Sequence, residues 1–258
     1  MKVAPLRVRV GLALALGTSL FASCAPSERG EAEIRPSEVP VVPQGRAPTA
    51  EGSAPPGAPD PGPRTRRLSV GDHTVAVLET AGSEPGARLP VVLLHGARFT
   101  KETWRELGTL DGVLGDRRVL AVDWPGSGAS PGPAPREAAG FLRQLFEELD
   151  LDRPVLVAPS RAGCALAALL GSPTALSGAI AVAPACGEDF PPDSPVPARV
   201  LWGTADRVLP FERAADLAAR FRAGRVEAFP GASHPCYLDD PDRFHRVVRE
   251  FLESLESG

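Results

Sequence analysis

Leu156-Val157-Ala158-Pro159-Ser160-Arg161-Ala162-Gly163 is a short apolar run, a proline, a serine and then the start of an alanine-rich stretch. A continuous apolar run of this length fits a strand buried on both faces, and the small residues after it predict a helix. A serine on so sharp a strand-to-helix turn has its hydroxyl exposed by strained backbone. The next N–H, that of Arg161, then lies at the helix N-terminus, where it can stabilise a negative oxygen. Such elbows usually carry glycine on both sides of the serine, and here Ala158 and Ala162 stand in those places. An alanine-rich helix after a strand can contain a serine by chance, so the reading depends on what surrounds the elbow.

Val91–Leu94, Val119–Val122, Ile180–Ala183 and Val200–Trp202 repeat the apolar run. Helical patterns lie between them, the clearest formed by Phe141, Leu142, Leu145, Phe146 and Leu149. This alternation predicts a mostly parallel central sheet with helices on both faces, an α/β fold. Arg67–Val70 and Thr74–Thr80 flank Gly71-Asp72 and predict a hairpin ahead of it. Sheets of this kind bind ligands at the carboxyl ends of their strands. The residues expected there are His95-Gly96-Ala97, Asp123-Trp124-Pro125-Gly126, Ser160, Pro184–Cys186 and Gly203–Asp206, with His234 following a last short run, Arg225–Phe229.

A serine is a weak nucleophile without a base, and the base needs a carboxylate to fix its tautomer. Asp206 follows the next-to-last strand and His234 the last, so Ser160, Asp206 and His234 stand in an order known for such triads. They are the expected catalytic residues, with the backbone N–H groups of Ala97 and Arg161 as the oxyanion hole. His95 and Asp123 read as structural residues of their loops. His73 and His245 fall in a hairpin turn and on the polar side of the last helix, with no role assigned.

The chain carries a net charge of −4 with its basic residues scattered, which argues against a nucleic-acid partner. Its four cysteines, Cys24, Cys164, Cys186 and Cys236, show no CxxC spacing, and its four histidines no HExxH. No metal site and no cofactor are therefore expected. Cys186 and Cys236 both follow strands on the catalytic side, so a disulfide between them is open in an oxidising compartment.

Lys2, Arg7 and Arg9 precede an apolar run, Val10–Phe21, and then Ala22-Ser23-Cys24. This has the layout of a signal peptide, residues 1–23, and is too short to span a bilayer. Its end resembles a bacterial lipobox, which implies a lipid on Cys24 as first mature residue. Ala25 after it favours the outer membrane. The expected membrane partner is thus reached through that anchor, and an ordinary secreted protein or an uncleaved anchor remains open. Residues 24–66 are rich in proline and glycine and hold no tryptophan or tyrosine, the composition of a tether. Residues 67–258, about 190 in number, are ample for one folded domain.

His95-Gly96-Ala97-Arg98-Phe99-Thr100-Lys101-Glu102-Thr103-Trp104, Asp123-Trp124-Pro125-Gly126-Ser127-Gly128, Pro159-Ser160, Val182-Ala183-Pro184-Ala185-Cys186 and His234-Pro235-Cys236-Tyr237-Leu238-Asp239 resemble the α/β-hydrolase-domain-containing protein 14 family. The resemblance runs over nearly all of 68–258 and implies the α/β-hydrolase fold. It also implies cleavage of small acyl groups, as esters or as acetyl-lysine with coenzyme A as acceptor. As an intracellular family it implies free thiols. The signal, the tether and Ala162 depart from it, so an intracellular acetyl-lysine role does not carry over to an exported domain.

Only Pro184–Pro197 separates two successive strands where a lid would enter, so minimal or no lid is expected and the partner is a small acylated substrate. Arg161 and Arg98 near the mouth could attract an anion or be solvated surface charges. Two other readings share these residues: a lipid-tethered binding protein without turnover, and an acyl transferase or cofactor-free haloperoxidase with the same triad. The leader makes one outcome testable at once: the mature chain should begin at Cys24, carry a lipid and partition with membranes. Mass spectrometry finding Met1 intact, or a soluble product with unmodified Cys24, would contradict it.

Overall fold

In the computed structural model, alternate residues of each central strand face opposite sides. Val155 and Val157 join one hydrophobic cluster, Leu156 and Ala158 the other. The described residues are 62–80, 88–110, 114, 117–171 and 176–257, and all belong to the second of the chain's two structural units, 54–258. The expected signal peptide, Cys24 and the tether as far as residue 61 lie outside them.

The strands are β1 (Arg64–Val70), β2 (His73–Glu79), β3 (Val91–Leu93), β4 (Val119–Val122), β5 (Val155–Pro159), β6 (Gly178–Val182), β7 (Ala198–Gly203) and β8 (Gly224–Phe229). They form one sheet in the order β1-β2-β4-β3-β5-β6-β7-β8. β2 runs antiparallel to β1 and β4, and the rest of the sheet is parallel. This is the mostly parallel sheet anticipated from the apolar runs, and β1 starts at Arg64, earlier than the expected Arg67. Its solvent-facing residues Arg64–Arg67 do not alternate in burial, so composition does not mark where pairing begins.

Helices α1 (Glu102–Glu106), α2 (Ala138–Glu148), α3 (Ala162–Leu170), α4 (Arg213–Ala218), α5 (Cys236–Asp239) and α6 (Pro241–Glu256) cover both faces. Phe141, Leu142 and Leu145 of α2, Leu166 and Leu169 of α3 and Leu217 of α4 close one side. Phe244, Val248, Phe251 and Leu252 of α6 close the other, where Trp104 of α1 stacks on Phe244 and meets Tyr237. The Trp104 Nε1–H donates to the Leu94 carbonyl at 3.2 Å, which fixes α1 at the end of β3. The segment from β6 to β7 holds only a 3-10 turn, Gly187–Asp189, so no lid domain enters there. No helix among the described residues is long and apolar enough to cross a membrane.

Three expectations are corrected. Cys186 is bonded to Cys164, with the Cα atoms 5.0 Å apart, while Cys236 is free and buried. β6 is the direct neighbour of β5, so the first turn of α3 comes down on the segment after β6. Cys236 follows β8, beyond β7, and turns into the cluster under α6. The free thiols implied by the family resemblance are likewise not found at Cys164 and Cys186. His245 does not lie on a polar face: it is buried, with its Nε2 3.0 Å from Thr109 Oγ1. The loop before β4 folds over that side of α6, which the pattern of α6 alone could not reveal.

Burial pushes the Cys236 thiol up to about 12, so iodoacetamide at pH 8 should modify Cys236 only after unfolding. The bridge closes a sequence separation of 22, so the C164S/C186S double variant should lose about 3 kcal/mol of stability in denaturant melts. Native-state alkylation of Cys236, or an unchanged midpoint in the double variant, would contradict this account. Burial and the charge of Arg249 push His245 below its ordinary 6.5, against the opposing pull of Asp242. Above that value neither state holds the proton. Below it the unfolded chain takes up a proton that the fold excludes, so stability falls. The urea midpoint should drop less between pH 7.5 and pH 5.5 in His245→Gln than in wild type, and equal drops would contradict it.

Candidate active site

β5 ends at Pro159 and α3 begins at Ala162, and between them Ser160 adopts a φ of +49°. A residue with a Cβ enters this region only when its surroundings over-determine it. Three backbone bonds do so. The Ser160 N–H donates to Val182 O at 2.9 Å, and the Ser160 carbonyl accepts from Gly163 N at 2.9 Å and Ala185 N at 3.0 Å. Gly163 permits the tight approach, since a Cβ there would sit 2.2 Å from Pro184 Cβ. The close packing therefore falls one residue after Ala162, which explains why alanine is accommodated at that place in the elbow.

Asp206 and His234 come from the loops after β7 and β8. Gly203 lets these loops touch, because a Cβ on it would lie 2.3 Å from the Ala232 carbonyl oxygen. The Ala205 N–H donates to that same oxygen at 3.0 Å, and the Gly231 N–H to Thr204 Oγ1 at 2.8 Å. Ser233 bonds Asp239 Oδ2 through its N–H at 2.5 Å and its hydroxyl at 2.6 Å, and these bonds hold the Asp239 carboxyl below its usual range.

The structure brings Ser160, His234 and Asp206 into one hydrogen-bonded line. His234 Nε2 is 3.0 Å from Ser160 Oγ, and His234 Nδ1 is 2.8 Å from Asp206 Oδ2. Asp206 has a fully buried side chain, and its Oδ1 accepts from Val208 N at 2.8 Å and Leu209 N at 2.9 Å. With a carboxylate facing it, Nδ1 carries the proton, which leaves Nε2 free to accept that of Ser160.

Ala97 follows Gly96, whose missing Cβ would lie 3.6 Å from Ser160 Cβ, and Arg161 follows Ser160 directly. Neither N–H donates to a protein acceptor among the described residues, so both are free for an oxyanion.

His95 and Asp123 are placed as structural residues. His95 Nδ1–H donates to Gly96 O at 2.8 Å and Nε2 accepts from Trp124 N at 3.0 Å. Burial pushes this imidazole below its ordinary value, which keeps it neutral. Asp123, fully buried, accepts from Lys101 N, Lys101 Nζ and Ala129 N, each at 2.8 Å. His73 packs edge-on against Phe141 at 5.6 Å.

Beside Ser160 lies a cavity of about 260 Å³ lined by His95, Gly96, Trp124, Ala134, Ala138, Arg161, Ala162, Cys164 and Ala165. Sequence reasoning missed the part played here by Trp124 and Cys164. The tryptophan stood beside the flagged Asp123, but nothing in the spacing aimed it at the cavity. Arg98 is exposed and does not line it. A second cavity, lined by Gly187, Trp202 and Arg213 among others, includes none of the candidate residues.

The profile of the alpha/beta hydrolase family matches residues 91–199. Human ABHD14B, whose name gives it as a candidate protein-lysine deacylase, is 36% identical over 184 residues, spanning 66% of this chain and 86% of that protein. Human ABHD14A is 34% identical over 199 residues, 73% of each chain. The esterase RhEst1 from Rhodococcus sp. ECU1013 superposes with a TM-score of 0.63 at 19% identity, covering 75% of this chain and 99% of its own. The last likeness speaks for the fold, and the first two for kinship: the chain belongs to the ABHD14 group of the α/β-hydrolase family and is an enzyme of hydrolase type.

Proposed function

We propose that this domain is a serine hydrolase that removes short, acetyl-like acyl groups from esters, thioesters or amides through an acyl-enzyme. The observation that carries the reading is the line from Ser160 Oγ through His234 to a buried Asp206 fixed by two backbone N–H groups. Ser160 Oγ attacks the acyl carbon as its proton passes to His234 Nε2. The carbonyl oxygen becomes an oxyanion held by the N–H groups of Ala97 and Arg161. On collapse, the bond to the leaving group breaks and His234 returns the proton to it. Water then attacks acyl-Ser160 with His234 again as base, which releases the acid and restores the hydroxyl.

The cavity's size supports a small acyl group, since it lies just below the usual range of about 300–1,000 Å³ for ligand pockets. The deacylase name of human ABHD14B supports including amides. We propose further that the domain is exported and tethered by a lipid on Cys24. The Cys164–Cys186 disulfide supports an oxidising compartment, because such bonds seldom persist where thiols are kept reduced.

Ser160→Ala should lower turnover of an acetyl ester by several orders of magnitude without unfolding the domain. His234→Ala should cost about as much, because such residues act as a unit. Asp206→Asn should cost roughly ten-thousand-fold by presenting the wrong tautomer of His234. Turnover of p-nitrophenyl acetate with circular dichroism as folding control tests all three, and a fluorophosphonate probe should label wild type but not Ser160→Ala. A folded Ser160→Ala variant that keeps a substantial share of wild-type activity would overturn the assignment. Unlabelled but folded wild type would favour a non-catalytic binder.

A further inference from the structure

The cavity beside Ser160 is apolar along Trp124, Ala134, Ala138, Ala162, Ala165 and the half-cystine Cys164, yet Arg161 lies at its edge. His95, the other ionisable group lining it, is kept neutral by burial. No carboxylate lines the cavity. Arg161 is exposed and forms no ion pair among the described residues. Two buried carboxylates of the loops around the site are committed elsewhere: Asp123 to Lys101 and Ala129, Asp206 to His234, Val208 and Leu209. A guanidinium next in sequence to the proposed nucleophile thus borders a cavity that offers it no anion.

We propose that the substrate carries a carboxylate a few bonds from the scissile carbonyl, and that Arg161 is the residue that selects it. This rests on the hydrolase reading above. Trp124 and the alanines hold the short apolar part of the substrate, and the planar fork of Arg161 takes both oxygens of its carboxylate. The neutral state of His95 means that this one cation sets the sign of charge preferred at the cavity edge. Because Arg161 is solvent-exposed, screening limits the effect to a preference of about two- to fivefold.

The test compares matched esters that differ in one charge. Monomethyl glutarate against methyl pentanoate places the carboxylate on the acyl side. 4-Acetoxybenzoate against its methyl ester places it on the leaving group. The readout is the ratio of kcat/KM within each pair, measured on the full chain. The ratio cancels any change in overall rate, which matters because the Arg161 backbone N–H belongs to the proposed oxyanion hole. Wild type should favour the anionic member of one pair, less so at 0.5 M salt. Arg161→Gln should abolish that preference and Arg161→Lys keep part of it. A preference in the first pair assigns the carboxylate to the acyl group, in the second to the leaving group, and either supports the proposal. Esters turned over without preference, or a preference unchanged in Arg161→Gln, overturn it while leaving the hydrolase reading intact. Folded protein that turns over none of the four esters overturns both.

Discussion

A single backbone conformation governs the arrangement of this molecule: Ser160 held at a φ of +49° between β5 and α3. A side chain in that region costs of order 1–3 kcal/mol, which the surrounding structure must offset. Here the offset comes from α3 and from β6 with the segment that follows it. Val182 of β6 accepts the Ser160 N–H, while Gly163 and Ala185 donate to its carbonyl. The segment after β6 is held down again by the Cys164–Cys186 bond, close to those same contacts. Ala183, at a φ of +38°, is a second residue forced into this region, where the chain leaves β6 for Pro184. Two strained residues facing each other across the β5–β6 pair make the elbow the point from which the other parts take their positions.

The loops after β7 and β8 meet that point through contacts that need small residues and backbone groups. Gly203 leaves room for the carbonyls of Ala232 and Ser233, and Thr204 and Ala205 bond across the gap. These bonds fix the approach of His234 before its side chain makes any contact. Asp206 then completes the line as a carboxylate with no exposed surface and three hydrogen-bond donors, two of them backbone N–H groups. A buried charge of this kind is tolerable only when its oxygens are satisfied.

The opposite wall follows the same rule with different residues. Asp123 is buried and meets the Lys101 ammonium and backbone together, which anchors the loop after β3 to the turn after β4. His95 bridges the same two loops as a neutral ring, accepting from Trp124 N and donating to Gly96 O. Removing the Lys101 side chain would leave the buried Asp123 carboxylate without its counter-charge, and the loop that carries Ala97 would lose that anchor.

The amino-acid sequence alone determined the succession of strands and its alternation with helices, because apolar runs and amphipathic stretches have different periods and are read along one dimension. The short helices α1, α4 and α5 were not marked by such a period. It also determined that Ser160, Asp206 and His234 each follow a strand, since a strand's end is visible where its run stops. It did not contain the pairing of Cys164 with Cys186. That depends on β5 and β6 being neighbours and on how closely α3 packs against Pro184, both properties of the assembled sheet. The burial of His245 against Thr109 and the cavity formed by Trp124, Cys164 and Arg161 are of the same kind. Tertiary structure decided them because spacing along a chain fixes which face of an element a residue occupies, whereas the element that packs on that face is chosen by the whole fold.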